Sequence, residues 1–525
     1  MESSSGRWIG VKRWGGRLVK LLIVLAIAIV VARLAFPLPD ISTRPPEQGL
    51  APGLNDPLVR WTTTAGNGQE GKSGVVMLGD GRDAFHSRLA LIDRAQTSID
   101  AQYYIWHDDV SGMLLLDALQ RAAARGVQVR LLLDDNGVPG MDSYLAALNA
   151  EPNFHIRLFN PSTVRQPKML GYAFDFFRMN RRMHNKSLVV DGAAAIIGGR
   201  NIGDEYFELG DDYYKDLDVL AVGPIVAETR TMFDRYWNSA SVFALETIIS
   251  GLGDKAALAA RFAAVRQQGK TSFLSTDESS TAARYADKGQ PLEWTRVQLV
   301  ADDPVKGEGK ARKDQLMIAR LGTILGTVQK RLDLVSAYFV PGETGTAYFE
   351  KLAGSGKDVR ILTNAFDTTD VVLVHSGYAK YRKHLLENGV KLYELKLRGA
   401  SMGERERQVH PLGLSGASLH AKTFAVDDNR VFIGSFNFDP RSAQLNCEMG
   451  YLIDSPAMAK SISAPFDGAL NLVSYRPELN AQNDMLWRER TINGTETVRT
   501  PEPGTSGFER AMLTVVGWLP VEWLL

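Results

Sequence analysis

Residues 181–201 read RRMHNKSLVVDGAAAIIGGRN, and residues 420–437 read HAKTFAVDDNRVFIGSFN. Both stretches contain the pattern His-x-Lys-x-x-x-x-Asp, and each continues at the same distance into two small residues and an asparagine. The second copy follows the first by 236 residues, measured from His184 to His420 and again from Asn201 to Asn437. A pattern that recurs with its surroundings indicates a duplicated unit.

Repeated secondary-structure signals surround the two motifs. SIDAQYYIW (98–106) predicts a strand, GMLLLDALQRAAARG (112–126) a helix that ends at glycine, and VQVRLLLDD (127–135) a buried strand. The same order recurs from 331 to 366, in RLDLVSAYFV, TAYFEKLAGSG and KDVRILTNAF. Strand, helix and strand in such short succession predict parallel pairing. We therefore predict an α/β fold with two tandem repeats, each a mixed, largely parallel sheet flanked by helices.

The remainder of the 525-residue chain divides around these repeats. The predicted parts are a basic N-terminal segment with a membrane anchor (1–40), a linker rich in proline and glycine (41–73), the first repeat (74–244), an inter-repeat connection (245–290), the second repeat (291–480) and an apolar C-terminal tail (481–525).

The N-terminus has the pattern of a membrane anchor. Several basic residues precede an apolar run, and the 19 residues from Leu18 to Phe36 are just long enough to cross a bilayer if Lys20 and Arg33 extend toward the headgroups. A cleaved signal peptide is the alternative, but no clean cleavage site follows the run. We favour an anchor that stays attached. The preceding positive charge predicts a cytoplasmic N-terminus, with the bulk of the chain on the other side.

The charge balance of the chain argues against nucleic acid as a partner. Sixty basic residues balance sixty acidic ones, whereas a dedicated nucleic-acid-binding protein usually has a basic excess. Cys447 is the one cysteine, which excludes an intramolecular disulfide. No group of histidine, cysteine and acidic residues has convincing metal-ligand spacing, so we predict neither a metal nor a cofactor.

The repeated motif offers three functional groups per copy. His184 and Lys186 are two residues apart, so on a strand they would project from the same face. Asp191 and Gly192 predict a tight turn, after which a second strand returns toward Asn201. Two such hairpins facing each other would supply lysine and asparagine donors for the oxygens of a phosphate diester. One imidazole could then attack phosphorus while the other protonates the leaving oxygen.

Both motifs resemble the paired HKD motifs of the phospholipase D superfamily. Further segments of similar type are QYYIWHDD, RAAARGVQVRLLLDD, KDLDVLAVGP, AYFVPG and QLNCEMG, so the resemblance covers roughly residues 74–480. It implies two repeats related by a pseudo-twofold axis around one shared active site, for which a monomer suffices. It also implies a metal-independent reaction through a phosphohistidine, usually on the histidine of the first motif.

The same resemblance assigns roles to individual residues. His184 would be the nucleophile and His420 the general acid and then base. The phosphate would be bound by Lys186, Lys422, Asn201 and Asn437. The carboxylates behind the histidines would be Asp218 and Glu448, although Asp216 and Asp212 lie close enough to compete with Asp218. Asp191 and Asp427 fall at the hairpin turns, so we expect them to hold loop geometry rather than to carry protons.

Three features favour a lipid substrate. They are the N-terminal anchor, the tail GFERAMLTVVGWLPVEWLL (507–525) with Trp518 and Trp523, and GYAFDFFRMNRRM (171–183). The last of these ends beside the first motif, where Arg181 and Arg182 could bind anionic headgroups. Core packing is the open alternative for the tail and for the aromatic stretch.

The chain most resembles the bacterial cardiolipin-synthase-like branch of the superfamily. That implies phosphatidyl transfer to phosphatidylglycerol at the inner membrane, with phosphatidylglycerol or phosphatidylethanolamine as donor. Hydrolysis to phosphatidic acid is the first alternative. A membrane-tethered nuclease is less consistent with the neutral charge, and a catalytically inactive lipid-binding protein is less consistent with two intact motifs.

Overall fold

The computed structural model describes residues 5–210, 213–272, 280–369, 371–396, 418–491, 494–517 and 522–524. Its strands are β1 (Ser73–Leu78), β2 (Ser98–Tyr103), β3 (Gln128–Asp134), β4 (Phe154–Phe159), β5 (Ser187–Val190), β6 (Ala194–Gly198), β7 (Tyr214–Lys215), β8 (Asp218–Val222), β9 (Val242–Ala244), β10 (Glu293–Thr295), β11 (Val297–Ala301), β12 (Arg331–Ser336), β13 (Asp358–Asn364), β14 (Lys391–Leu395), β15 (Ser418–Leu419), β16 (Lys422–Val426), β17 (Arg430–Gly434), β18 (Met449–Ile453), β19 (Ser474–Leu479), β20 (Met485–Arg490) and β21 (Glu496–Arg499).

The described α-helices are α1 (Ser5–Ala35), α2 (Pro57–Ala65), α3 (Gly81–Arg94), α4 (Val110–Ala124), α5 (Asp142–Asn149), α6 (Tyr172–Met179), α7 (Pro224–Trp237), α8 (Leu245–Ile248), α9 (Lys255–Ser272), α10 (Thr281–Lys288), α11 (Met317–Leu325), α12 (Gly342–Gly354), α13 (Val372–Glu387), α14 (Pro440–Gln444), α15 (Pro456–Ser463), α16 (Leu470–Val473) and α17 (Gly507–Gly517). The Arg17–Ala35 part of α1 is long and apolar enough to cross a membrane, and none of it is buried against the rest of the protein.

Two large mixed sheets organise the described chain. The first has the order β10-β1-β8-β6-β5-β2-β3-β4-β9, and the second has the order β11-β18-β17-β16-β12-β13-β14-β19-β20-β21. In the first sheet β2 and β3 are parallel and joined through α4, and in the second β12 and β13 are parallel and joined through α12. The predicted fold class, two repeats of mixed sheet flanked by helices, is confirmed. The prediction that each sheet is largely parallel is wrong, because only β2-β3-β4 and β12-β13-β14 run parallel and the described pairs on either side of them are antiparallel.

A shared core holds the two repeats together. Apolar side chains from both sheets, such as Val189 and Ile197 of the first and Ile433 and Tyr451 of the second, belong to one buried cluster. Each sheet covers its other face with its own helices, which form two further clusters. Strands that are buried on both faces read as continuous apolar runs, which explains the sequences SLVV and AAIIG.

Each motif forms an antiparallel hairpin whose aspartate occupies the turn. β5 pairs with β6, and β16 pairs with β17. Asp191 and Asp427 have φ of 51° and 54°, a left-handed conformation that aspartate tolerates better than most residues. Each carboxylate accepts hydrogen bonds from the main chain at the start of the neighbouring strand, at Thr97 and Ser98 for Asp191 and at Lys330 and Arg331 for Asp427.

Several segments differ from the predicted boundaries. The predicted linker packs on the first repeat, since Arg44 donates to the carbonyl of Ser239 and Glu47 accepts from Trp237, and it contains α2. β10 joins the first sheet although it lies beyond the predicted connection. β20 and β21 extend the second sheet past residue 480.

Candidate active site

Two short parallel pairings between the repeats bring the motifs together. Met183 pairs with Cys447, and β15 pairs with β7 so that Leu419 lies opposite Lys215. The residues that follow the first pair are His184 and Glu448, and the residues that follow the second pair are His420 and Asp216. The main-chain N–H of His184 donates to the Cys447 carbonyl at 2.8 Å, and that of His420 donates to the Lys215 carbonyl at 2.8 Å. Each motif histidine is therefore anchored to the opposite repeat.

His184 is paired with a carboxylate from the second repeat. Its Nδ1 lies 2.9 Å from Glu448 Oε2 and 3.2 Å from the main-chain oxygen of Ser435. Because both neighbours are acceptors, Nδ1 carries the proton and Nε2 keeps a lone pair. Burial lowers the pKa of His184 to about 4 despite the opposing charge of Glu448. A neutral imidazole with an available Nε2 is suited to nucleophilic attack.

His420 is paired with a carboxylate from the first repeat, and that carboxylate is Asp216. His420 Nδ1 lies 2.5 Å from Asp216 Oδ2, and both side chains are buried. Burial raises the pKa of Asp216, which makes it a better acceptor for the imidazole proton. The rings of Tyr206 and Tyr214 contact His420 at centroid distances of 5.2 Å and 5.3 Å.

The expectation that Asp218 backs a histidine is wrong. Its carboxylate instead binds Arg88 at 2.8 Å and lies 3.4 Å from Arg200, with all three side chains buried. The physical reason is register, because Asp218 lies opposite Gly198 in the first sheet just as Gly450 lies opposite Gly434 in the second. The position equivalent to Glu448 is therefore Asp216. Asp212, the other competitor, lies outside the described residues.

The small residues after each hairpin make room for these carboxylates. A Cβ atom added at Gly199 would lie 2.1 Å from Asp216 Oδ1, so only glycine fits there. The equivalent Ser435 donates its hydroxyl to Glu448 Oε2 at 2.5 Å. The Gly-Gly ending of the first motif thus leaves space for the Asp216 carboxylate, and the Gly-Ser ending of the second motif donates a hydrogen bond to the Glu448 carboxylate.

The motif lysines lie in the same buried region as the histidines. Lys186 Nζ donates to the main-chain oxygen of His184 at 2.6 Å, and Lys422 Nζ donates to that of His420. Burial lowers the pKa of Lys186 to about 7, and the nearby charge of Lys422 acts in the same direction. An anionic substrate bound beside Lys186 would raise the pKa of this lysine and so oppose both effects. The expectation that these residues lie on strands holds for Lys422 at the start of β16, whereas His184 and Lys186 precede β5.

The two asparagines brace the ends of neighbouring strands. Asn201 Oδ1 accepts from the Ile105 N–H at 3.2 Å, and its Nδ2 donates to Tyr206 Oη at 3.0 Å. Asn437 Oδ1 accepts from the Tyr338 N–H at 3.4 Å. Phosphate binding by these amides stays a prediction.

The prediction that Arg182 binds a headgroup is wrong, because its guanidinium is buried against Asp134, with contacts of 2.5 Å from Nη2 and 2.9 Å from Nε. Arg181 is partly exposed and lines a cavity of about 990 Å³. The cavity wall is largely apolar and includes Val340, Phe436 and Phe438. The two phenylalanines flank Asn437, so the cavity borders the second motif.

In the part of the chain that the structure describes, one group of side chains has the geometry of a possible cation site. It comprises His107, Asp109 and Glu205, whose ligand atoms lie within 4.8 Å of one another. The Asp109 carboxylate already accepts hydrogen bonds from the N–H groups of Gly112 and Asp204. We assign no ion to this group.

Several known proteins are similar to this chain. A family model described as "Cardiolipin synthase, PLD-like domain" matches residues 89–237 and 322–470. The chain is 43% identical over 464 residues to cardiolipin synthase C of Escherichia coli (strain K12). The matched region covers 87% of this chain and 97% of that protein. It is 33% identical over 457 residues to an uncharacterized protein of Helicobacter pylori (strain ATCC 700392 / 26695), covering 83% of this chain and 87% of that protein. The crystal structure of phosphatidylserine synthase from Haemophilus influenzae Rd KW20 superposes with a TM-score of 0.54 at 14% identity, covering 89% of this chain and all of that one, which shows a common fold.

Proposed function

This chain belongs to the cardiolipin synthase family of phospholipase D-like proteins, and from that premise we propose that it is a membrane-associated phosphatidyltransferase that makes cardiolipin. The observation that carries the proposal is the reciprocal pairing of each motif histidine with a carboxylate of the other repeat. Both Nδ1 atoms are hydrogen-bonded to carboxylates in this arrangement, so we assign the attack on phosphorus and the proton transfer to the two Nε2 atoms.

In the first step His184 Nε2 attacks the phosphorus of a donor phospholipid. The bond from phosphorus to the headgroup oxygen breaks, and His420 gives its Nε2 proton to that oxygen as the headgroup alcohol leaves. The product is a phosphatidyl group on His184. The neutral state of His184 suits the nucleophile, and the Asp216 carboxylate suits His420 to hold the proton that it donates.

In the second step a hydroxyl group of phosphatidylglycerol attacks the same phosphorus. His420 Nε2 accepts the hydroxyl proton, the phosphorus–nitrogen bond breaks, and cardiolipin leaves. With phosphatidylglycerol as donor the balance is two phosphatidylglycerol molecules in and one cardiolipin plus one glycerol out. Phosphatidylethanolamine as donor would release ethanolamine by the same steps.

Lipid rather than water as the acceptor is supported by the surroundings of the histidines. The ring of Tyr104 contacts His184 at a centroid distance of 5.0 Å, and two further tyrosines surround His420. Aromatic walls restrict water near a reactive intermediate. The apolar cavity bordering Asn437 has a size and lining that suit the acyl part of a phospholipid.

The helix α1 supports attachment to the membrane in which these lipids reside. None of its Arg17–Ala35 part is buried inside the protein, as expected of a segment that lies in a bilayer. We place the enzyme at the bacterial inner membrane, with the catalytic repeats on the non-cytoplasmic side because of the basic residues that precede the span.

A labelled-lipid assay tests the proposal. Purified enzyme is incubated with phosphatidylglycerol labelled in its acyl chains, with and without phosphatidylethanolamine, and we expect label in cardiolipin. His184→Ala should abolish turnover, whereas His155→Ala, at an exposed position on β4, should not change it. His420→Ala should also abolish turnover, because its Nε2 donates the proton in the first step and accepts one in the second. Label that accumulates only in phosphatidic acid would refute the transferase and indicate a phospholipase D.

A further inference from the structure

A compact apolar patch projects from the first repeat beside the first motif. It consists of Met169 and Leu170, in the short 3-10 helix Lys168–Gly171, and Phe176 and Phe177 in α6. Their exposed fractions are 69%, 56%, 37% and 68%. Large apolar side chains that cluster on a surface usually mark a contact with another molecule or with a membrane.

The position of the patch identifies its partner. The end of α1 lies against α6, where Arg33 Nε donates to the Phe174 carbonyl at 2.8 Å. The ring of Phe36 stacks on that of Phe174 at 6.0 Å, and the carbonyl of Phe36 accepts from the Thr163 hydroxyl at 3.0 Å. Arg33 closes the apolar run of α1, so in a membrane it lies at the headgroup level. Residues that touch Arg33 and Phe36 are held at that level too.

We infer that the segment Lys168–Met179, through this patch, inserts into the headgroup boundary of the bilayer that α1 crosses. Four apolar side chains beside the end of a membrane span match the way interfacial segments bury one face at the boundary of the acyl chains. Arg181, two residues after the end of α6, lines the apolar cavity, so the patch places the cavity next to the lipid surface. The inference rests on the membrane attachment proposed above but not on the identity of the reaction.

Site-specific fluorescence can test the insertion. The natural Cys447 is fully buried and its thiol pKa is raised to about 12, so it reacts poorly with thiol reagents. The exposed Phe177→Cys and Met169→Cys variants of the full-length protein would each be labelled with an environment-sensitive fluorophore and reconstituted into phosphatidylglycerol-containing vesicles. The matched control is Ala124→Cys, which is exposed at the end of α4. Because α4 ends just before β3 begins, Ala124 lies at the sheet edge opposite to α6, which follows the end of β4.

Nitroxide groups attached to the lipid acyl chains would quench a fluorophore that enters the membrane. We expect about a twofold loss of emission at positions 177 and 169 and little change at 124, because an interfacial segment reaches only the outer part of the acyl region. No quenching at 177 and 169, or equal quenching at all three positions, would overturn the inference. Neither result depends on whether cardiolipin is made, so a failed lipid assay would not be mistaken for a failed insertion.

Discussion

Replacing Asp216 with asparagine tests which of two nearby carboxylates, that of Asp216 or that of Asp218, orients His420. Asp216→Asn keeps the shape of the side chain but removes the charge that lies 2.5 Å from His420 Nδ1. Two unit charges about 4 Å apart attract by about 4 kcal/mol at an effective dielectric constant of about 20. That attraction stabilises the protonated imidazole that must donate to the leaving group. Its loss corresponds to about a thousandfold decrease in kcat.

The matched variant is Asp218→Asn, two residues along the chain. Asp218 faces Arg88 and Arg200 rather than a histidine, so this change leaves buried guanidinium groups without their counter-ion. We expect a loss of about 3–5 kcal/mol in the free energy of unfolding, with catalysis by the remaining folded enzyme far less affected. Both variants are assayed for cardiolipin formation per folded molecule and for thermal unfolding. Turnover of Asp216→Asn at the natural rate, with an inactive but stable Asp218→Asn, would refute the pairing of His420 with Asp216.

Three further predictions follow from the site. Gly199→Ala should lower kcat by at least about tenfold, because its new Cβ displaces Asp216; unchanged lipid turnover would contradict this. The lowered pKa of His184 means that the unfolded chain binds a proton more readily, so this residue makes stability fall as pH decreases from about 6.5 to about 4; His184→Gln should remove that component from pH-dependent denaturation curves. Arg182→Met should destabilise the fold by about 3–5 kcal/mol by leaving Asp134 buried without its counter-ion, and should leave the KM for lipid nearly unchanged in the fraction that remains folded.

Much of the architecture could be predicted because it depends on local patterns. The crossovers through α4 and α12 follow from apolar strands and helical spacing, and the hairpin turns follow from the aspartates at 191 and 427. The duplication was visible because both motifs and their surroundings recur at a constant offset. These features need no knowledge of which distant residues meet.

The positions that the sequence does not predict are those where pairing with distant strands or burial decides the contacts of a side chain. Asp216 and Asp218 are equally spaced acids in one short stretch, and only the pairing of β8 with β6 shows which of them corresponds to Glu448. A direct comparison of YKDLD with NCEMG, aligned on those strands, was the signal that could have identified Asp216. The sequence around Arg182 has the pattern of a surface cation, because nothing in it indicates that Asp134, at the end of β3, lies beside this arginine.

The exchange of carboxylates between repeats has a consequence for how activity depends on the integrity of the chain. Neither half contains both a motif histidine and the carboxylate that orients it. Separating the halves would therefore inactivate both histidines at once instead of leaving partial function. Covalent linkage keeps each half at a high effective concentration for the other, which makes catalytic competence independent of dilution. Two chains with lesions in opposite halves could regain turnover only by domain exchange, and a mixture of such chains would report directly on whether the halves ever come apart.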